Sequence, residues 1–209
     1  MPTKLLLVGA SGHAKVIIEA VQASKSECHI YLSDQDIEKR GRSLLGDTII
    51  HALCDWSDLP ELYHISIGNN LIRKQLSDLA KSYGKIAYTV IHPLACISPS
   101  ATIGPGCFIA AKSIIGPEVT IEAGCIINHG AVVDHDCQIG AYSHVAPNST
   151  LGGGVKVGEV SLIGSGSTVL PMVNIGRSVT IGAGAVITTA VADNQTMVGI
   201  PGRQIINEE

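Results

Sequence analysis

A chain of 209 residues with a net charge of −4 and 3% aromatic residues has room for one domain or two modest ones. The negative balance offers no global attraction to nucleic acid or anionic lipid, so any nucleotide has to be held by local groups. Its 23 glycines, set against so few aromatics, suit a repetitive β architecture filled by Ile and Val rather than an aromatic-rich core.

The apolar run Leu5–Val8 is too short for a signal peptide and ends in a Gly-rich turn. No segment approaches the roughly 20 apolar residues of a membrane span. A cytoplasmic chain without membrane insertion or a nucleic-acid partner is expected. The cysteines form no CxxC pair, and Cys107, Cys125 and Cys137 recur at a fixed spacing, as small core residues would.

"KLLLVG" reads as a buried parallel strand, and "GASGH" (Gly9–His13) as the turn into a helix over residues 12–23. "CHIYLSD" is a second strand ending at Asp34. "YHISIG" is a third, ending at Gly68 before Asn69, Asn70 and a helix containing Arg73. "KIAYTVIH" is a fourth. Alternating strands and helices predict a small parallel α/β sheet that binds ligands at the carboxyl ends of its strands. The turn lacks both the full GxGxxG pattern and a Walker lysine, so a nicotinamide dinucleotide is disfavoured. Its backbone N–H groups can still meet a diphosphate at the helix start. Alternatively, the glycines only make a tight turn and His13 is a surface residue.

From Ile97 the chain reads in sixes: ISPSAT, IGPGCF, IAAKSI and onward to IGAGAV, fifteen repeats in all. The first slot is always Ile, Val or Leu, and the fifth is Ala, Cys, Ser or Val. Alternate residues of a strand share a face, so the fifth slot and the next first slot both point inward. Gly at the second or fourth slot allows the bend between strands. Three short strands per turn make a triangular prism that returns to the same face every 18 residues. Five coils at about 4.8 Å stack to roughly 24 Å. No long loop interrupts the count.

Three histidines fall on this coil. His129 and His135 occupy third slots, and His144 a sixth slot. Metal binding is disfavoured, because successive repeats lie on different faces and no outward cysteine completes a set. Adding 18 to His135 reaches Gly153, whose missing side chain leaves space for a ligand and a reachable N–H. Asp134 and Asp136 flank the histidine, and a neighbouring carboxylate makes an imidazole a better base. The alternative for His135 is a solvated surface residue.

With "GASGHAKV", "SIGNNLIRK", "INHGAVVDHDCQIG", "YSHVAP" and the closing "GIPG" in view, nearly the whole chain resembles bacterial nucleotide-sugar acetyltransferases of the hexapeptide-repeat superfamily. The nearest groups are UDP-4-amino-sugar N-acetyltransferases of the bacillosamine type and GDP-perosamine N-acetyltransferases, with sialic acid O-acetyltransferases as relatives. The resemblance implies an α/β, Rossmann-like nucleotide-sugar-binding domain over residues 1–90. A left-handed parallel β-helix over residues 91–209 would follow, assembled as a homotrimer and using acetyl-CoA without a metal. It implies His135 as general base, with Asp136 raising its basicity. His144 and Gly153 would contact acetyl-CoA, and the CoA arm would run near Ser165 and Ala183. Asn128 would lie beside the sugar amine. Ser11, Gly12, His13, Ser33, Asp34, Gly68 and Asn69 would hold the nucleotide sugar. Two positions depart from the family pattern. Ser33 stands where a second acidic residue is common, and Asp136 where Glu is common. Sugar O-acetylation and a non-catalytic scaffold are the alternatives.

Overall fold

The computed structural model describes residues 3–24, 27–46, 48–52 and 56–205. They divide after Pro93 into two compact units.

The first unit is built on β1 (Thr3–Val8), α1 (Gly12–Ala23), β2 (Cys28–Asp34), β3 (Ser43–Leu44), β4 (Thr48–Ala52), β5 (Leu62–Ile65), α2 (Asn70–Ser82), β6 (Ile86–Ala87) and β7 (Val90–Ile91). Six of these strands form one sheet in the order β3-β4-β2-β1-β5-β6, parallel except at the β3–β4 pair. Leu5, Leu6 and Leu7 are fully buried, as a central strand covered on both faces requires. Helix α1 occupies the expected residues and buries Ala14, Ile17, Ile18 and Val21, spaced at three, one and three residues along one stripe.

Two expectations are corrected. The third strand stops at Ile65 rather than Gly68, and the fourth breaks into β6 and β7 at Tyr88 and Thr89. The one signal for strands β3 and β4 in "SLLGDTIIHA" is its Gly-Asp turn dipeptide, because the flanking residues mix both periods. The strand order reverses at β1, whose neighbours are β2 on one side and β5 on the other. The crevice of such a sheet lies there, beyond the carboxyl ends of β1 and β5.

The second unit is a parallel coil. Its two-residue strands stack in three ladders, each at 18-residue register. The first face carries Ile114–Ile115 and Val132–Val133, the second Thr120–Ile121 and Gln138–Ile139, and the third Ile126–Ile127 and His144–Val145. Every first-slot residue from Ile109 to Ile187 and every fifth-slot residue from Cys107 to Ala185 is buried. Each large apolar side chain placed there contributes about 1.5–3 kcal/mol of burial free energy. The last coil is shorter: Ile175 bridges Val191 and Thr180 pairs Thr196, both 16 residues on. The chain then folds back, with Val198 antiparallel to Arg203.

The two glycine slots do different work. Fourth-slot residues have φ between +53° and +72° from Gly106 to Gly184, whatever their identity, including Asp136, Asn148 and Val160. Pro stands just before at 105, 117, 147 and 171, the pattern of a type II turn. In this corner the fourth-slot N–H donates to the third-slot carbonyl of the preceding coil, as Gly154 does to His135 at 2.8 Å. Second-slot glycines instead make room. A Cβ on Gly116 would lie 2.7 Å from the His135 backbone nitrogen, and one on Gly140 2.6 Å from that of Glu159.

Gly140→Ala is therefore expected to lower stability by about 1–3 kcal/mol through overpacking. Val160→Gly relieves a β-branched residue held at φ +61° and should raise it by up to about 1 kcal/mol. Denaturation midpoints of the two variants test the assignment, and a reversed order would contradict it.

Candidate active site

The site is built where the coil turns from its first face to its second. Val132–Val133 ends one strand, Gln138–Ile139 begins the next, and the corner between them carries Asp134, His135 and Asp136. All three are exposed. The Asp134 carboxylate accepts the His135 backbone N–H at 2.8 Å. Asp136, turned by its left-handed φ of +60°, places Oδ2 2.7 Å from His135 Nδ1. A carboxylate only accepts, so Nδ1 carries a proton and Nε2 of the neutral ring holds the basic lone pair. The bond to Asp136 and then the charge of Asp134 raise the His135 pKa above 6.5, against slight desolvation.

One coil on, Gly153 lies under the ring. A Cβ there would collide with His135 Nε2 and Cε1, so only glycine leaves the base nitrogen uncovered. Among the described residues the Gly153 N–H makes no hydrogen bond, while its carbonyl accepts from Met172 at 2.9 Å. One coil before, Gly116 gives the His135 backbone its clearance. The sequence reading passed over Gly116, which the same step of eighteen, counted back from Asp134, locates.

The other coil residues lie elsewhere. Asn128 and His129 stand at the corner between third and first faces, where Ser165 and Ala183 stack in the same column as His129 and are exposed. His144 projects from the third face, in the strand paired with Ile126–Ile127. In a three-sided coil the His135 edge is the one opposite that face. A single chain therefore does not bring His135 and His144 together. A groove of about 680 Å³ runs along the second face between Thr120, Gln138, Lys156 and Asn174, and neither histidine lines it. Asn128, expected beside the sugar amine, has its side chain committed to His129 N–H at 2.9 Å and to His144 Nε2 at 3.0 Å.

In the α/β unit, Ser11, Gly12 and His13 lie at the start of α1, and the Ser11 hydroxyl makes no capping bond. Gly9 adopts φ +104° with no space for a Cβ against Ile67. Gly68 and Asn69 follow β5, across the switch point. Asn69 caps α2, accepting from Ile72 N–H at 3.0 Å. Arg73, 2% exposed, turns its guanidinium back onto the Ile67 and Gly68 carbonyls at 3.1 and 3.0 Å. Ser66 Oγ, donating to the Val8 carbonyl at 2.9 Å or that of Gly9 at 2.7 Å, joins the ends of β1 and β5.

Two of the expected substrate residues are engaged within the unit itself. Ser33 is wholly buried, with its hydroxyl 3.4 Å from the His51 carbonyl. Asp34 already accepts from Ala10 N–H at 2.7 Å, Asp36 N–H at 2.9 Å and Lys39 at 3.0 Å. Burial would raise its pKa, but these bonds and the Lys39 charge outweigh it and hold the carboxyl low. It ties the β1 turn to the end of β2. Lys39, five residues after Asp34 in an unremarkable polar stretch, had no signal in the sequence.

Among the described residues no group of three or more His, Cys, Asp and Glu is placed to hold a metal, and no helix is long and apolar enough to cross a membrane.

Comparison with known proteins gives this geometry a family. The PglD N-terminal domain profile matches residues 4–79, and the bacterial transferase hexapeptide (six repeats) profile matches residues 118–153. UDP-N-acetylbacillosamine N-acetyltransferase of Bacillus subtilis (strain 168) is 39% identical over 109 residues, a match spanning 50% of this chain and 50% of that protein. The acetyltransferase domain of PglB from Neisseria gonorrhoeae FA1090 is 34% identical, with a TM-score of 0.92 over 97% of this chain and 99% of that one. The chain belongs to the PglD-type hexapeptide-repeat acetyltransferases. A mutant of perosamine N-acetyltransferase from Caulobacter crescentus, in complex with CoA and GDP-perosamine, is 32% identical with a TM-score of 0.91, covering 98% of this chain and 97% of that one. The Neisseria domain is also known in complex with acetyl coenzyme A. This family transfers acetyl groups from acetyl-CoA to the amine of nucleotide-linked 4-amino-dideoxy sugars, of the bacillosamine and perosamine type.

The His135 environment is directly measurable. An NMR titration of its Cε1 proton is expected to give a midpoint above 6.5 in the wild type. Asp136→Asn should move that midpoint down, and Asp134→Asn should move it less. The neutral base then becomes available at lower pH in the variants. Identical midpoints in wild type and Asp136→Asn would dismiss the ion pair.

Proposed function

We propose that this chain performs the family reaction by direct transfer, with His135 as general base. The substrate is a nucleotide-linked 4-amino-4,6-dideoxy sugar, and acetyl-CoA is the donor. His135 Nε2 takes a proton as the sugar amine attacks the thioester carbonyl. Asp136 holds Nδ1–H and stabilises the imidazolium that forms. The N–H of Gly153 receives the developing oxyanion, and the tetrahedral intermediate collapses with the CoA thiolate as leaving group. The observation that carries this reading is the pairing of an Asp-oriented imidazole with a glycine one coil on, below its free nitrogen.

An acyl-cysteine route has no support from Cys137, two residues from His135. Its thiol is buried against the Gly152 carbonyl at 3.3 Å, and burial pushes its pKa up to about 11. In the α/β unit, the β1 turn, the α1 N-terminus and the Gly68–Asn69 loop hold the nucleotide. The uncapped first turn of α1 offers N–H groups and a positive dipole end to a diphosphate.

His135 and His144 stand on opposite sides of one coil, so a site that uses both takes them from neighbouring copies. This supports a homotrimer with acetyl-CoA held between adjacent coils, His144 and the Ser165–Ala183 column on one side and His135 and Gly153 on the other.

A thiol-release assay with acetyl-CoA tests the reaction against UDP-, dTDP- and GDP-linked 4-amino-4,6-dideoxy sugars and free sialic acid. Turnover with one amino sugar is expected. His135→Ala should lose about 10²–10⁴-fold in kcat while still binding both substrates. Activity on sialic acid alone would move the acceptor to a hydroxyl. Shared sites are tested by mixing His135→Ala and His144→Ala subunits. Random trimers should rebuild roughly a quarter of their sites, whereas no recovery would place both histidines of each site in one chain.

A further inference from the structure

We propose that Asn128 is a positioning residue that decides which nitrogen of His144 carries the proton. The inference rests on the reading above in which His144 lies against acetyl-CoA, and goes beyond it by fixing the chemical form of that ring and giving it a role at the thioester.

The backbone N–H of His129 lies 2.9 Å from Asn128 Oδ1 and can only donate. The amide oxygen must face it, so the NH₂ group faces the other way. There Nδ2 stands 3.0 Å from His144 Nε2. An amide nitrogen also only donates, so Nε2 accepts and bears no proton. A neutral imidazole with a bare Nε2 carries its hydrogen on Nδ1. Neither flipping the amide nor choosing the tautomer freely satisfies both contacts, so the usual ambiguity of amide and imidazole orientation is absent here.

The two histidines thereby share one tautomer and present opposite ends. His135 spends Nδ1–H on Asp136 and offers the lone pair of Nε2, a base. His144 spends the lone pair of Nε2 on Asn128 and offers Nδ1–H, a donor. A donor polarises a thioester carbonyl and strengthens its hold as charge develops on the oxygen, which a lone pair would oppose. Asn128 thus separates the roles of two otherwise similar rings, and its place is behind His144 rather than beside the acceptor amine.

Long-range ¹H–¹⁵N correlation spectra of the full chain with labelled histidine, with His144→Gln used for assignment, read the tautomer directly. The wild type should show His144 protonated at Nδ1 and bare at Nε2. Asn128→Asp replaces the NH₂ donor by a second acceptor, and should move the proton to Nε2 and lower kcat by about 100-fold, leaving the KM for nucleotide sugar unchanged. Asn128→Leu, which removes the constraint, should populate both tautomers. A wild-type ring protonated at Nε2, or an Asn128→Asp ring with the wild-type tautomer, overturns the proposal. A switched tautomer with unaltered kcat overturns the positioning role while leaving acetyl transfer intact. Absence of acetyl transfer in the wild type overturns the earlier reading, and the spectra still decide the tautomer.

Discussion

The eighteen-residue register of the coil is the constraint on which everything else in the second unit depends. Parallel ladders tie each strand to the one a full turn away, so residue identities eighteen apart meet whether or not they suit each other. The core follows because first and fifth slots always face inward. The corners follow because two-residue strands must turn at once, and the fourth slot takes the left-handed conformation even when Val or Met occupies it. The candidate site follows because the same register sets His135 between Gly116 and Gly153.

Chemistry gathers at the corners for a physical reason. The inward slots of the coil are filled by Ile, Val and small residues. Third-slot side chains project outward at the corners, and third-slot N–H groups lie outside the strand ladders. At 129 and 135 the preceding residue, Asn128 or Asp134, accepts that N–H through its own side chain. At 141 and 177 a carboxylate from a neighbouring coil, Glu122 or Asp193, accepts it instead. At Gly153 it has no hydrogen-bond partner among the described residues.

The α/β unit solves a different problem, that of holding three loops beyond the ends of parallel strands. Asp34 fastens the β1 turn, Ser66 bonds the ends of β1 and β5, and buried Arg73 holds the Ile67–Gly68 carbonyls. These are charge-assisted or buried bonds, which hold more firmly than exposed ones. Of the glycines in these loops, Gly9 is buried while Gly12 is exposed and Gly68 partly so. Residues that look like ligand contacts in the sequence are in part the scaffold of the contact surface.

The division between what the chain spells out and what folding decides is clear residue by residue. The period of six, the inward slots, the α1 boundaries and the pairing of His135 with Gly153 are local or arithmetical, and the sequence by itself determined them. The β3–β4 hairpin showed only its Gly-Asp turn, and the broken fourth strand was not legible, because strands that short carry no period. Nor were the commitments of Ser33, Asp34 and Asn128. Each is spent on a partner, at His51, Ala10 or His144, that lies 16 to 24 residues away. A polar side chain of given type can bind a ligand or a neighbour with equal chemistry. Which it does depends on what the fold places within hydrogen-bond reach, and only the tertiary structure decided that. The same holds for the two histidines: nine residues apart in sequence, they stand on opposite sides of the prism because three corners, not distance along the chain, set their directions.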